Sequence, residues 1–207
     1  MITVHHLNNS RSQRILWLCE ELGVPYTIQP YLRDRTTNLA PPELKTVHPL
    51  GKSPVIVDNG LMIAESGAIV DYVIRRYGPQ LAPAPETTAH EAYLEWLHFA
   101  EGSAMLPFLL RLYTSRLGEA GAPLKPRIDE QTDAYLGFFD AALGDSDWLV
   151  ANTLSGADVM MSFVAEIAAA QGTLYPRLTR YVHRIQSRPA WLAAAAKSAP
   201  YNFRLPD

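Results

Sequence analysis

Apolar positions in residues 1–77 come in short runs alternating with helix-spaced stretches; beyond residue 88 only the helical spacing persists. "ITVHHL" (2–7) reads as a short strand, and Ile15 to Leu22 continue a helix that stops at Gly23, where a residue without Cβ enters the left-handed region freely. "PYTIQPYL" (25–32) predicts a second strand. "PPELKTVHP" (41–49) predicts a short helical piece closed by Pro49, because the residue before a proline avoids the helical region. Asp58-Asn59-Gly60 stands between Val55-Ile56-Val57 and Leu61-Met62-Ile63, a strong hairpin signal. Ile69, Val70, Val73 and Ile74 then recur at helical spacing in "ESGAIVDYVIRRY". The order is βαβ, a link, then ββα. A crossover gives parallel strands and a hairpin adds antiparallel ones, so a mixed four-stranded sheet is expected.

"GPQLAPAPETT" (78–88) holds three prolines and no helical pattern, and reads as a linker. From 89 to 207 no convincing strand occurs. "AHEAYLEWLHFAEGSAMLPFLLRLY" (89–113) predicts one long amphipathic helix, bent where Pro107 interrupts the ladder. Residues 126–143, 156–172 and 175–188 predict further helices, and Pro189 opens a last short one. The second half is therefore expected to be an all-α bundle.

Composition narrows the function. At 207 residues, 48% apolar and 19% charged, the chain is an ordinary globular protein with length for a sizeable core. A formal charge of -3 leaves no basic excess to match a phosphate backbone, which argues against nucleic acid as a partner. No apolar run reaches membrane-spanning length, and "MITVHHLNN" lacks the pattern of a signal peptide, so no membrane association and a cytoplasmic location are expected. There the acceptor-like Asn8-Asn9-Ser10 stays unglycosylated. No CxxC, HExxH or dispersed Cys/His set occurs, so no metal is expected. The lone Cys19, among Leu16, Trp17, Leu18 and Leu22, reads as a small buried hydrophobe.

Three stretches could carry chemistry. "NNSRSQR" (8–14) puts amides and hydroxyls at a strand's carboxyl end, where ligands of α/β sheets sit, and is equally a helix start. Ser53-Pro54 opens a strand, the place where a proline's missing N–H is tolerated; a cis bond there would turn the Ser53 backbone toward a ligand. Glu65-Ser66 starts a helix, and is either a cap or an anion site, with Glu65 available to an ammonium group. "LSGAD" (154–158) has capping-box spacing between Ser155 and Asp158 and reads as structural.

Taken together, "NNSRSQR", "HPLGKSPVIVDNGLMIAES", the proline-rich linker and a helical half containing "SGAD" resemble the cytosolic glutathione S-transferases, in particular bacterial, serine-type, theta-like members. The resemblance covers nearly the whole chain. It implies a thioredoxin-like glutathione-binding domain over 1–77, the linker 78–88 and a helical domain over 89–207 that contributes the electrophile site. It implies glutathione as cosubstrate, its thiolate attacking a hydrophobic electrophile in a detoxifying conjugation, and a homodimer. Ser10, four residues before Arg14, matches the serine that donates to the glutathione sulfur, with Asn9 and Ser12 as rivals. Pro54 matches the family's cis-proline, Ser53 the backbone partner of the cysteinyl unit, Glu65 and Ser66 the grip on the γ-glutamyl end, and Lys52 a reach to the glycine carboxylate. Met105, Phe108, Leu109 and Tyr113 are candidate electrophile lining, a stripe that equally suits a core. Ser53 stands where the family commonly has Val or Ile, and no tyrosine occupies the first turn. Glutathione-dependent peroxide or disulfide reduction, and ligand binding without turnover, are the alternative functions.

Overall fold

The computed structural model describes residues 1–172, 175–198 and 200–205. β1 (Ile2–Leu7), α1 (Ser12–Leu22) and β2 (Tyr26–Tyr31) form a crossover unit, with β1 and β2 parallel and in register from Ile2↔Tyr26 to Leu7↔Tyr31. After the single turn of α2 (Leu44–Val47), β3 (Val55–Asp58) pairs antiparallel with β1, and β4 (Leu61–Ala64) antiparallel with β3. The sheet order is β2-β1-β3-β4, mixed as the pattern predicts. Pro30 is tolerated because β2 is an edge strand. Asn59 and Gly60 both take positive φ, 50° and 84°, which makes the β3–β4 connection a two-residue hairpin turn matched to strand twist. α3 (Ser66–Tyr77) packs on α1.

The segment after α3 is not featureless. Pro79–Leu81 forms one 3-10 turn and Leu81 is buried. The helical half comprises α4 (Thr88–Phe99), α5 (Leu106–Ser115), α6 (Lys125–Leu143), α7 (Gly156–Ala170), α8 (Pro176–Gln186) and α9 (Pro189–Lys197), with a 3-10 stretch at Gly118–Leu124. The single helix expected over 89–113 is two. Its ladder opens at a π-helical turn, Ala100–Ala104, closed by Met105 N–H donating to the Ala100 carbonyl at 3.1 Å. Pro107 sits in the first turn of α5, where its missing N–H has no helical partner to lose. The interruption thus lies one turn before the proline, because the ring cannot coexist with a continuous ladder beneath it.

α7 is the hub, buried from Gly156 through Ala168 and packed against α1, α3, α4 and α8. Gly156 allows the close approach: a Cβ there would meet the Tyr93 hydroxyl at 2.8 Å and Ile74 at 2.5 Å. Asp158 accepts from Ser155 N–H at 2.9 Å, completing the cap read from "LSGAD", and also from the Leu149 N–H and the Tyr181 hydroxyl. α9 packs along α1, tied by Arg188 to Glu21 and Lys197 to Glu20. One apolar cluster runs from Ile2 and Val4 of the sheet through α1 and α7 to Trp191 of α9. No helix among the described residues is long and apolar enough to cross a membrane.

Candidate functional site

Four segments contribute to one cavity. The first is the turn between β1 and α1. Asn9 takes φ 50°, a left-handed conformation that asparagine adopts more readily than most residues. The turn is held by Arg33, which donates to the Asn8 carbonyl through Nε at 3.1 Å and to the Asn9 carbonyl through Nη2 at 3.3 Å. From the far end of the chain, Asn202 N–H donates to Asn9 Oδ1 at 2.8 Å. α1 begins without a side-chain cap from Arg11. Ser10 serves instead: its Oγ accepts from Ser12 N–H at 3.2 Å and its carbonyl from Gln13 N–H at 3.1 Å.

Behind that turn runs a buried hydroxyl chain. Ser10 Oγ and Ser12 Oγ lie 2.7 Å apart, and Ser12 Oγ lies 2.8 Å from His6 Nδ1. Ser10 is 5% exposed, Ser12 0% and His6 1%. Of the three candidates for a ligand contact, Ser12 is therefore sealed beneath Ser10, while Asn9 is half-buried with its side-chain oxygen taken by Asn202. Burial lowers the His6 pKa to about 4, so the ring is neutral at neutral pH.

The second segment precedes β3. The Ser53-Pro54 bond is cis. Ser53 Oγ donates to the His5 carbonyl at 2.8 Å and accepts from Leu7 N–H at 3.2 Å, extending the β1–β3 ladder beyond its last pair, His5↔Val55. This is a physical reason for serine here rather than Val or Ile. Its own backbone N–H and C=O have no protein partner among the described residues.

The third segment is the start of α3. Glu65 has φ 72° and ψ 122°, and caps nothing with its side chain. A non-glycine residue held there costs about 1–3 kcal/mol. The capping reading of Glu65-Ser66 therefore has no support in the geometry: among the described residues the exposed carboxylate bonds to no helix N–H, and the buried Ser66 makes no side-chain hydrogen bond.

The fourth was not read from the sequence. Glu101, in the π-helical turn, pairs with Arg11 Nε at 2.7 Å and with Arg14. π-turns inside helices recur at functional positions. Arg14 is wholly buried, its guanidinium 5.4 Å above the Phe163 ring, and burial lowers its pKa while Glu101 raises it. No local signal joins positions 87 residues apart.

Arg11, His48, Leu50, Lys52, Ser53, Pro54, Ala64, Glu65, Ser66 and Glu101 line a cavity of about 240 Å³. It gathers Lys52, Ser53, Glu65 and Ser66, four predicted binding residues. Ser10 is not in its wall, and the turn reaches it through Arg11. The candidate electrophile residues do not line this cavity: Met105 is buried in the core, Leu109 is partly buried against it, Tyr113 is exposed, and Phe108, though buried, lines a separate cavity of about 420 Å³ with Leu136, Ala168 and Tyr175. Cys19 is fully buried, and burial pushes its thiol up to about 12, so it supplies no nucleophile.

The family model described as the glutathione S-transferase N-terminal domain matches residues 1–75, and the C-terminal domain model matches residues 99–189. Glutathione S-transferase 3 of Schizosaccharomyces pombe is 36% identical to the chain, covering 95% of it and 88% of the relative. The chain belongs to the glutathione S-transferase family. Glutathione S-transferase 1 of Saccharomyces cerevisiae is 30% identical, covering 96% of this chain and 95% of its own. A crystal structure of a glutathione S-transferase from Actinobacillus pleuropneumoniae is 35% identical and superposes with a TM-score of 0.87, over 96% of this chain and 93% of that one. The mixed sheet is thus a thioredoxin-like N-terminal half, and the bundle is the family's helical C-terminal half.

Proposed function

We propose that this glutathione S-transferase holds glutathione across the cavity between the Ser53-Pro54 turn and the start of α3, and activates its thiol from the β1–α1 turn. The observation that carries the reading is the pairing of two backbone features at one cavity: the unpaired amide and carbonyl of Ser53, and the strained, uncapped Glu65-Ser66. An extended peptide satisfies the first by backbone pairing. A zwitterionic amino-acid end satisfies the second, its carboxylate at the helix N-terminus and Ser66, its ammonium at Glu65. Lys52, exposed on the cavity wall, suits the remaining carboxylate. These are the chemical handles of a γ-glutamyl tripeptide.

Ser10 then donates to the sulfur. A neutral serine hydroxyl is too weak a base to take the thiol proton, which leaves to solvent, but its hydrogen bond stabilises the thiolate, which is the nucleophile. Lowering the thiol pKa by two units needs about 2.7 kcal/mol, and one hydrogen bond to a charged group contributes roughly 1.5–3 kcal/mol. The positive N-terminal end of α1 and Arg11 add in the same direction. The thiolate attacks a hydrophobic electrophile, a conjugation of detoxifying type in the cytoplasm; no metal enters this chemistry. Residues 1–77 bind glutathione, 78–88 link, and 89–207 supply the second substrate's wall. A homodimer fits the exposed Leu50, Leu61 and Met62 around edge strand β4.

The test is glutathione consumption with a generic aryl halide, with an organic peroxide run in parallel. Conjugation that saturates in glutathione supports the proposal. Tight glutathione binding without turnover of either substrate would make the protein a binder instead.

A further inference from the structure

The hydroxyl chain behind the turn ends on an imidazole that the reaction above does not use. We infer that His6 is a positioning residue that fixes Ser10 as an outward hydrogen-bond donor, acting through Ser12. The inference rests on the thiolate reading of Ser10 and extends it.

The argument is a count of protons and lone pairs. A hydroxyl oxygen accepts two hydrogen bonds and donates one. Ser10 Oγ already accepts from Ser12 N–H at 3.2 Å, and Ser12 Oγ stands 2.7 Å away. If the Ser12 hydroxyl donates to Ser10, both Ser10 lone pairs are used and only its proton is left for a ligand. If Ser12 accepts instead, the Ser10 proton points inward and a lone pair faces the sulfur, which repels a thiolate. Which of these holds is decided at Ser12, whose single proton has three destinations: Ser10 Oγ at 2.7 Å, the Leu7 carbonyl at 3.2 Å or His6 Nδ1 at 2.8 Å.

The imidazole tautomer settles the choice. His6 Nε2 is buried with no partner among the described residues. A proton on Nε2 would be an orphaned buried N–H, and such donors are rarer than under-used acceptors. With the proton on Nδ1, the ring donates to Ser12 and closes one of its three options. The Ser12 proton then goes to Ser10, the shorter of the remaining contacts and at the usual O–H···O distance. The chain reads His6 to Ser12 to Ser10 to sulfur, each donor polarised by the one behind it. Burial keeps the imidazole neutral, so the direction holds across the working pH range.

Nitrogen NMR of the full chain with labelled histidine tests the tautomer without a substitution. Protonated Nδ1 at His6 is expected, and protonated Nε2 would overturn the inference. The second arm is the pKa of bound glutathione, read from thiolate absorbance. His6→Leu and Ser12→Ala should each raise it by about one unit, cutting turnover at neutral pH about tenfold, with the glutathione KM unchanged. The double variant should shift it no further than either single one. His6→Asn, whose amide N–H stands near the place of Nδ1, should restore the wild-type value. A His6→Leu protein that does not fold leaves Ser12→Ala to decide, and an unchanged pKa in that variant overturns the relay. A thiol that ignores Ser10→Ala as well overturns the thiolate reading itself; one that answers to Ser10→Ala alone overturns only the role of His6.

Discussion

Glu101→Gln isolates what the π-helical turn contributes. The substitution keeps an acceptor for Arg11 and Arg14 but removes the charge. Arg14 is fully buried with Nε and Nη2 unpartnered among the described residues, so Glu101 is its direct ion-pair partner, with the buried Glu166 carboxyl also in Coulombic reach. Breaking a buried pair by removing one partner costs about 3–5 kcal/mol, whereas a fully exposed pair is worth at most about 1. Glu101 is 29% exposed on its side chain, and the Phe163 ring still faces the guanidinium. An intermediate loss of about 2 kcal/mol follows from those two limits. At this chain length that lowers Tm by about 4–8 °C. Denaturant melts at pH 7 of the wild type, Glu101→Gln, Arg14→Met and the double variant measure it as a coupling energy. In the Arg14→Met background the Glu101→Gln loss should drop to about 1 kcal/mol, leaving only the half-buried pair to Arg11. A Glu101→Gln loss that is equally large with and without Arg14 would refute the pairing as its cause.

The remaining predictions concern groups of opposite kinds. Cys19→Ala should keep most activity, and native Cys19 should resist thiol reagents, since its pKa is pushed up to about 12; loss of turnover in the folded variant contradicts this. Glu65→Gly removes both the strain at φ 72° and the carboxylate, so it should raise stability by about 1 kcal/mol while raising the glutathione KM several-fold; unchanged KM would make Glu65 a mere backbone hinge. Glu166 is buried among the donors Trp191 Nε1, Tyr201 and Gln186, and burial raises its pKa from 4.5 to about 7. Its folded form therefore holds a proton that the unfolded chain releases earlier, so the contribution is complete below pH 4.5 and is lost as pH rises through about 7. The stability of the wild type relative to Glu166→Gln should fall over that window in denaturant melts at stepped pH; a constant difference refutes it.

The parts of the fold legible in the sequence are those with local causes. Asn59-Gly60 needs positive φ and so declares its turn; Gly23 ends α1 in the left-handed region; Ser155 and Asp158 cap α7 within one turn. Pro107 announced an interruption but not its form, because the π-helical turn is set by the ladder before the proline and by the Glu101 pairing across the chain. Ser53, Glu65 and Ser66 stood out locally only as a pre-proline turn and a helix start, with cap and anion site both open; their binding roles, and Lys52 altogether, came from the resemblance carried by that one short segment around the hairpin. Arg33, His6 and Asn202 were not, since each reaches the turn from a different element. Phe108 and Met105 had a periodicity that core and pocket share; both are buried, and Phe108 also lines the second cavity.

The central claim is that the Ser10 hydroxyl stabilises the glutathione thiolate, and the pKa of the bound thiol measures it most directly. Thiolate absorbance titrations should be run on the wild type, Ser10→Ala and Asn9→Gly. Glycine keeps the left-handed turn at position 9 while removing the amide. Ser10→Ala should raise the pKa by about one to two units, with glutathione still bound, and Asn9→Gly should leave it in place. A pKa that moves in Asn9→Gly and stays put in Ser10→Ala would contradict the account and assign the sulfur contact to Asn9.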